Sequence, residues 1–385
     1  MPLRVLIAPD KFKGTLSARE AAQAIARGWQ RARPDDTCEL LPISDGGDGF
    51  GKAVSTLLGA KACRVKTVNA SHKPITATWW WEAKTKTAII ESAQVIGLAM
   101  LPPGRFHPFE LDTFGLGAVL DAAQRRGAKQ IIVGIGGSAT NDGGFGVARG
   151  LGWEFFDRTG KGLEQWTELH RLAKVRRPLP HRFGKVIVAV DVQNVLLGRR
   201  GATQVYGPQK GLAVRDFPHA EGCLRRLAEV LRRELVQDFA STPGAGAAGG
   251  LGFGLLAFCS ARLQPGFALF ARHAQLAKQL RRTDLVITGE GAMDASSAMG
   301  KGVGQLAQAC RRLGIPCVGL AGKVVGWREL KSLFDQIHGL TELTTEAKAK
   351  ARAAYWLERL AARVGAPGGS AKTCAGALRP ATVSA

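Results

Sequence analysis

Short apolar runs rich in β-branched residues recur along this chain, and each ends in a loop that concentrates glycine with Asp, Asn, Ser or Lys before the sequence turns helical. LRVLIA at 3–8 runs into PDKFKGTL, and Ser17 with Glu20 three residues on forms a capping box that opens a helix to about Arg33, where Pro34 stops it. CELLPI reads as the next strand and SDGGDG as the turn into the next helix. Such a β-α-β-α order is the signature of a parallel sheet covered by helices. The order returns near the other end in DLVITGEG, a helix at 302–313, IPCVGLAG and a short helix at 327–333.

Between these blocks the texture changes. ITATWWWEA and KTAIIESA, two β-rich runs with a polar gap, predict a hairpin. Strand-loop-helix units then resume: helices at 114–126, 145–151 and 217–236, with KQIIVGIGG and KVIVAVDV as strands. The fold class expected is α/β: a Rossmann-like doubly wound domain formed by both chain ends (1–75 plus 281–365), with an inserted second α/β domain (76–280). Residues 366–385 are small, polar and rich in Pro and Gly, and read as a disordered tail.

Of the 385 residues, 45% are hydrophobic and 22% charged, which excludes disorder across the whole chain. No apolar run reaches the roughly 18 residues of a membrane span, and the N-terminus carries charge too early for a signal segment, so the expected location is cytoplasmic, with no membrane partner. Seven cysteines, none in CxxC, read as reduced thiols. Lys and Arg exceed Asp and Glu by 22. The basic residues fall as scattered Arg-Arg doublets without interleaved aromatics, so a phosphorylated small molecule is expected and no specific nucleic acid.

The strand-end loops carry the chemistry. They are Asp10-Lys11-Phe12-Lys13-Gly14, Asp45-Gly46-Gly47-Asp48-Gly49, Gly134 to Gly146, Asp191 to Asn194, and Gly289-Glu290-Gly291 through Lys301. In open α/β sheets ligands bind outside the carboxyl ends of the strands, so these loops are expected to share one crevice. Their residue types match phosphoryl transfer: glycines open backbone N–H groups to phosphates, lysines neutralise charge, and carboxylates hold Mg²⁺ or orient the attacking hydroxyl. GxxxxGK[ST] is absent, and GIGGSATNDGG carries its glycines at the wrong spacing for the dinucleotide-binding GxGxxG. GIGGSATNDGGFG is the densest of these loops, and Asp191 ends the apolar strand KVIVAV, where an unpaired carboxylate would cost several kcal/mol.

In this order, APDKFKGTLSA, PISDGGDG, ESAQVIGL, TFGLGAVL, VGIGGSATNDGG, DVQNVLLGRRGATQVYGPQKG, PGAGAAGGLG and VITGEGAMDASSAMGK resemble the glycerate kinase family, the type without a P-loop, from Leu3 to about Gly322. The resemblance implies ATP and Mg²⁺ as cofactors, D-glycerate as the small-molecule partner, 2-phosphoglycerate as product and an interdomain cleft; a homodimer is an assembly the sequence leaves open. Carried over, Asp10, Lys11 and Lys13 belong to the first loop. Asp45, Gly46 and Gly47 belong to the second; Ser92 belongs to ESAQVIGL; and Gly136, Gly137, Ser138 and Asp142 belong to the glycine-rich loop. Asp191 and Asn194 match Asp-x-x-Asn, and Gly289, Glu290, Asp294 and Lys301 match the Gly-Glu-Gly segment. The roles implied are Asp191 as base, Lys13 and Lys301 as charge neutralisers, and Asp45 with Glu290 as Mg²⁺ ligands.

The sequence departs from the family pattern at Lys11 (usually Ser), Ser44 (Ala), Asp48 (Glu), Val195 (Pro), and at Ala292, Ser296 and Ser297, where an Arg and a Gln-Thr pair are usual. Losing that Arg removes a bidentate donor. Two alternatives therefore stand beside glycerate: a kinase of another small hydroxy acid or sugar acid, and a non-catalytic anion-binding relative.

Overall fold

A computed structural model describes residues 2–44, 46–47, 49–178, 183–298 and 302–366. Among them the strands are β1 (Arg4–Ile7), β2 (Thr37–Leu40), β3 (Lys61–Val68), β4 (Pro74–Glu82), β5 (Thr87–Glu91), β6 (Gln130–Gly134), β7 (Glu154–Phe156), β8 (Lys174–Arg176), β9 (Lys185–Ala189), β10 (Arg262–Gln264), β11 (Leu285–Met293), β12 (Cys317–Val324) and β13 (Gln336–Gly339). The chain is α/β and divides into two compact units, Met1–Ser44 with Phe270–Ala385, and Asp45–Leu269. The sequence alone predicts these boundaries at 75/76 and 280/281. β3, on the outer side of that earlier line, runs antiparallel to β4 over its whole length and so lies within the second unit. All but the first residue of the expected tail lies outside the described residues.

In the first unit the sheet order is β13-β12-β11-β1-β2, all parallel. The chain leaves β1 toward β2 on one side and toward β11 on the other, so the topological switch lies between β1 and β11. Helix Ala18–Ala32 starts at the expected capping box, in which Ser17 accepts from the Glu20 amide and Glu20 reaches back to the Ser17 amide. It buries Ala21, Ala22, Ile25 and Trp29 against the sheet and against helix Ala353–Gly365. A side chain of the Ile25 kind contributes about 1.5–3 kcal/mol when fully buried. The two helices approach so closely that a Cβ on Gly28 would stand 2.0 Å from the Glu358 carbonyl oxygen. Glu358 then pairs with Arg27 at 2.9 Å and Arg31 at 2.5 Å.

In the second unit the sheet order is β10-β9-β6-β5-β4-β3, parallel from β10 to β5 and antiparallel from β5 to β3. The expected hairpin is β4 and β5, paired through Trp80 and Ile89. Trp79 and Trp80 are buried, and Trp81 lies half-exposed under the Arg126 guanidinium. Helices Phe114–Arg125, Phe145–Gly150 and Phe217–Leu235 stand where the spacing places them.

One segment differs from expectation. Gly289-Glu290-Gly291, read as a loop, continues β11, which pairs with β12 as far as Met293 and Val324. The glycines admit backbone there: a Cβ on Gly289 would meet the Leu320 carbonyl oxygen at 2.0 Å, and one on Gly291 would meet the Lys13 nitrogen at 2.9 Å.

Candidate active site

Glu91, Gly134 and Ala189, the last residues of β5, β6 and β9, stand in register with one another, so the residues that follow leave one sheet edge together. The Ser92 amide donates to the Gly134 carbonyl at 2.9 Å, whereas its hydroxyl is fully buried and has no hydrogen-bond partner. The Gly136 amide donates to the Gly46 carbonyl at 3.2 Å, and a Cβ on Gly136 would stand 2.5 Å from the Gly47 Cα. A Cβ on Gly46 would lie 3.3 Å from Asp191 Oδ2. Gly46, Gly47, Gly136 and Asp191 are thus gathered at this edge. The half-buried Asp191 accepts the Phe267 amide at 3.4 Å.

Glu91 is a participant that sequence reasoning missed. Its buried carboxylate accepts the amides of Gly49 at 2.7 Å and Gly51 at 3.1 Å, which fixes the turn and the start of helix Phe50–Leu57. The signal was present, because an acid ending the apolar strand TAIIE invites the same argument that singled out Asp191.

The glycine-rich loop is organised from inside. Asp142 is fully buried, and its Oδ2 accepts the Thr113 hydroxyl at 2.7 Å, the Thr113 amide at 2.9 Å and the Gly146 amide at 2.9 Å, while Oδ1 accepts the Gly144 amide at 3.2 Å. Asp142 therefore braces the loop, and its carboxylate faces inward. Burial pushes its carboxyl upward, reinforced by Asp112 and opposed by these donors. Lys210, also buried, donates to the Thr140 carbonyl at 2.6 Å, and burial lowers it to about 7 although Asp142 pulls the other way. Gly137, Gly143 and Gly144 all adopt positive φ at little steric cost; Gly137 is exposed, whereas the Gly143 and Gly144 amides turn inward, to the Gly249 carbonyl at 3.0 Å and to Asp142 Oδ1 at 3.2 Å. Ser138 pairs with the Thr140 hydroxyl at 2.9 Å and donates to the Ala248 carbonyl at 3.4 Å. Asn194 uses both ends of its amide, accepting the Tyr206 hydroxyl at 2.7 Å and donating to the Arg200 carbonyl at 2.8 Å, so it ties the Asp191 loop to the following helix.

In the first unit the switch between β1 and β11 positions the other set. The Asp10 amide donates to the Gly289 carbonyl at 2.8 Å, and the Asp10 carboxylate accepts the Lys11 amide at 2.6 Å. Phe12 is buried and bridges to Leu16, which leaves Lys13 and Gly14 exposed at the tip, Gly14 with φ +79°. Glu290 is half-buried and accepts the Ser297 hydroxyl at 2.6 Å; that hydroxyl also accepts the Asp294 amide at 3.2 Å. Ser297 thereby holds the Glu290 carboxylate and the Asp294 turn together. Asp45, Asp48 and Lys301 lie outside the described residues.

These residues fit a nucleotide and a hard cation. The unpartnered Ser92 hydroxyl and the exposed positive-φ turn at Gly137 suit phosphate oxygens. Magnesium usually takes one or two carboxylates and completes its shell with water and substrate phosphates, which the half-buried Glu290 suits.

The profile of the glycerate kinase family matches residues 5–367. A glycerate kinase of Halalkalibacterium halodurans is 37% identical over 324 residues, covering 83% of this chain and 85% of that protein. A glycerate kinase of Bacillus subtilis is 34% identical over 381 residues, 96% of this chain and 99% of its own length. A glycerate 2-kinase of Escherichia coli is 36% identical over 327 residues, 84% and 86% of the two chains. A crystal structure of a candidate glycerate kinase 2 from Salmonella typhimurium LT2 superimposes with a TM-score of 0.81 at 33% identity, over 98% of this chain and 99% of that one.

Proposed function

Because the chain belongs to the glycerate kinase family, a family of phosphotransferases, we propose that it transfers the γ-phosphoryl group of ATP to the 2-hydroxyl of D-glycerate. The observation that carries this reading is the Asp191 carboxylate at the end of β9, beside a turn that only glycine keeps open. In the reaction the bond from the γ-phosphorus to the bridging oxygen breaks, leaving ADP, and a new bond forms to the glycerate oxygen. Asp191 accepts the proton that this oxygen gives up. The backbone of the exposed Gly137 turn orients the phosphates, and Lys13 and Lys301 offset charge on the transferring group and on the substrate carboxylate. Asp45 and Glu290 would hold magnesium, which would add charge neutralisation to the phosphates. Asp10, Lys11 and Asp294 shape the same binding surface of the first unit, and the reaction belongs to the cytoplasm.

A second reading rests on Ala292, Ser296 and Ser297, where the family pattern has larger polar side chains: the acceptor is then another small hydroxy acid or sugar acid. Coupled detection of ADP with D-glycerate and with a panel of such acids separates the two. Magnesium-dependent ADP formation with D-glycerate at the highest kcat/KM supports the first, and preference for another acid supports the second. Silence with every acid removes both.

A further inference from the structure

Away from the strand-end loops, His170, His219 and Cys223 place three ligand atoms within 4.8 Å of one another, and among the described residues they are the group of three able to hold a metal ion. His219 and Cys223 stand four residues apart on helix Phe217–Leu235 and so share a face. His170 comes from the 3₁₀ turn Trp166–Arg171. Three features fit a metal. His219 Nε2 lies 3.8 Å from Cys223 Sγ, and tetrahedral zinc bonds of the usual lengths separate such atoms by about 3.6 Å. His170 Nδ1 lies 3.0 Å from the Thr167 carbonyl, which can only accept, so the proton sits on Nδ1 and Nε2 keeps its lone pair. The His219 ring is held edge-on by Phe109, itself packed on Trp166.

We infer that His170, His219 and Cys223 form a site for a zinc-class divalent cation, with water in the fourth position, which clamps the 166–171 turn to the long helix. Imidazole and thiolate together select a borderline-soft ion over magnesium. On coordination the sulfur–hydrogen bond, which points to the Thr167 carbonyl at 3.2 Å, is replaced by a sulfur–metal bond and one proton leaves to solvent. No residue of the proposed kinase reaction takes part, so the inference stands apart from that reading.

The full chain, stripped with a chelator and dialysed, is titrated with Co²⁺ and then with Zn²⁺. The expected result is one equivalent of Co²⁺ giving a thiolate-to-metal charge-transfer band and tetrahedral d–d bands, both erased by one equivalent of Zn²⁺. Zinc also raises the melting temperature of the wild type. Cys223→Ser loses the charge-transfer band. Because buried Cys223 could be needed for folding, the exposed His170→Ala is the decisive second variant: its metal affinity falls at least tenfold and its zinc-induced rise in melting temperature disappears. No charge-transfer band in the wild type, or a band unchanged in either variant, overturns the site.

Discussion

Asp191 and Asp142 are both acids at strand-end loops, and their surroundings give them opposite work. Asp142 is enclosed by the Thr113, Gly144 and Gly146 donors, whereas Asp191 stands half-buried where Gly46 leaves room beside it. Asp191→Asn removes the proton acceptor while keeping the shape. It is expected to lower kcat by about 10²–10⁴ with an unchanged circular dichroism spectrum; a near-normal rate removes Asp191 as the base. Gly249 is a purely steric case. Its φ is +70°, and a Cβ there would lie 1.9 Å from the Thr140 carbonyl oxygen. Gly249→Ala therefore combines left-handed strain with a backbone clash and should cost at least about 2 kcal/mol, read as a fall in the urea midpoint.

At the scale of elements, the glycine-rich loop is only as ordered as what lies beneath it. The Thr113 hydroxyl donates to Asp142 and accepts the Val147 amide at 2.8 Å, so one side chain joins the starts of helices Phe114–Arg125 and Phe145–Gly150. Thr113→Val keeps the volume and leaves two buried partners unmet; a loss of about 1.5–3 kcal/mol in chemical denaturation is expected. Lys210 supplies the pH dependence. Burial lowers it from 10.5 to about 7. Between those values the unfolded chain holds a proton that the folded chain does not, so stability rises with pH across that window and is flat below it as far as this lysine is concerned. Lys210→Met should remove that rise in urea midpoints, and an identical slope in both proteins would contradict the assignment. The elements themselves were legible wherever local chemistry decides them, as at Ser17 and Glu20 or in KVIVAV. Where a partner distant in sequence decides, they were not. Gly289-Glu290-Gly291 looks like a loop until the Leu320 carbonyl that the glycine accommodates is in view, and Asp142 looks ligand-facing until Thr113, 29 residues upstream, is placed on it.

For the whole molecule, the excess of 22 basic residues is a field acting on anions rather than a reading head, since the doublets Arg125, Arg199, Arg225 and Arg311 with their neighbours are dispersed along the chain. A fluorescent duplex should bind without sequence preference and lose affinity steeply between roughly 50 and 200 mM salt. Retention of one sequence at high salt would contradict that account. The α/β architecture was legible from the alternation of apolar strand, glycine loop and helix, and the family from eight short motifs in order, because motif order survives where any one motif is weak. The exact ends of the two units were not, since β3 joins the second sheet through pairing with β4 that no local pattern announces. Phosphorus NMR of the chain incubated with magnesium, ATP and D-glycerate tests the central claim most directly. The γ-phosphate signal is expected to decline as the single resonance of 2-phosphoglycerate grows; an unchanged γ-phosphate, or its conversion to inorganic phosphate alone, would rule the kinase reaction out.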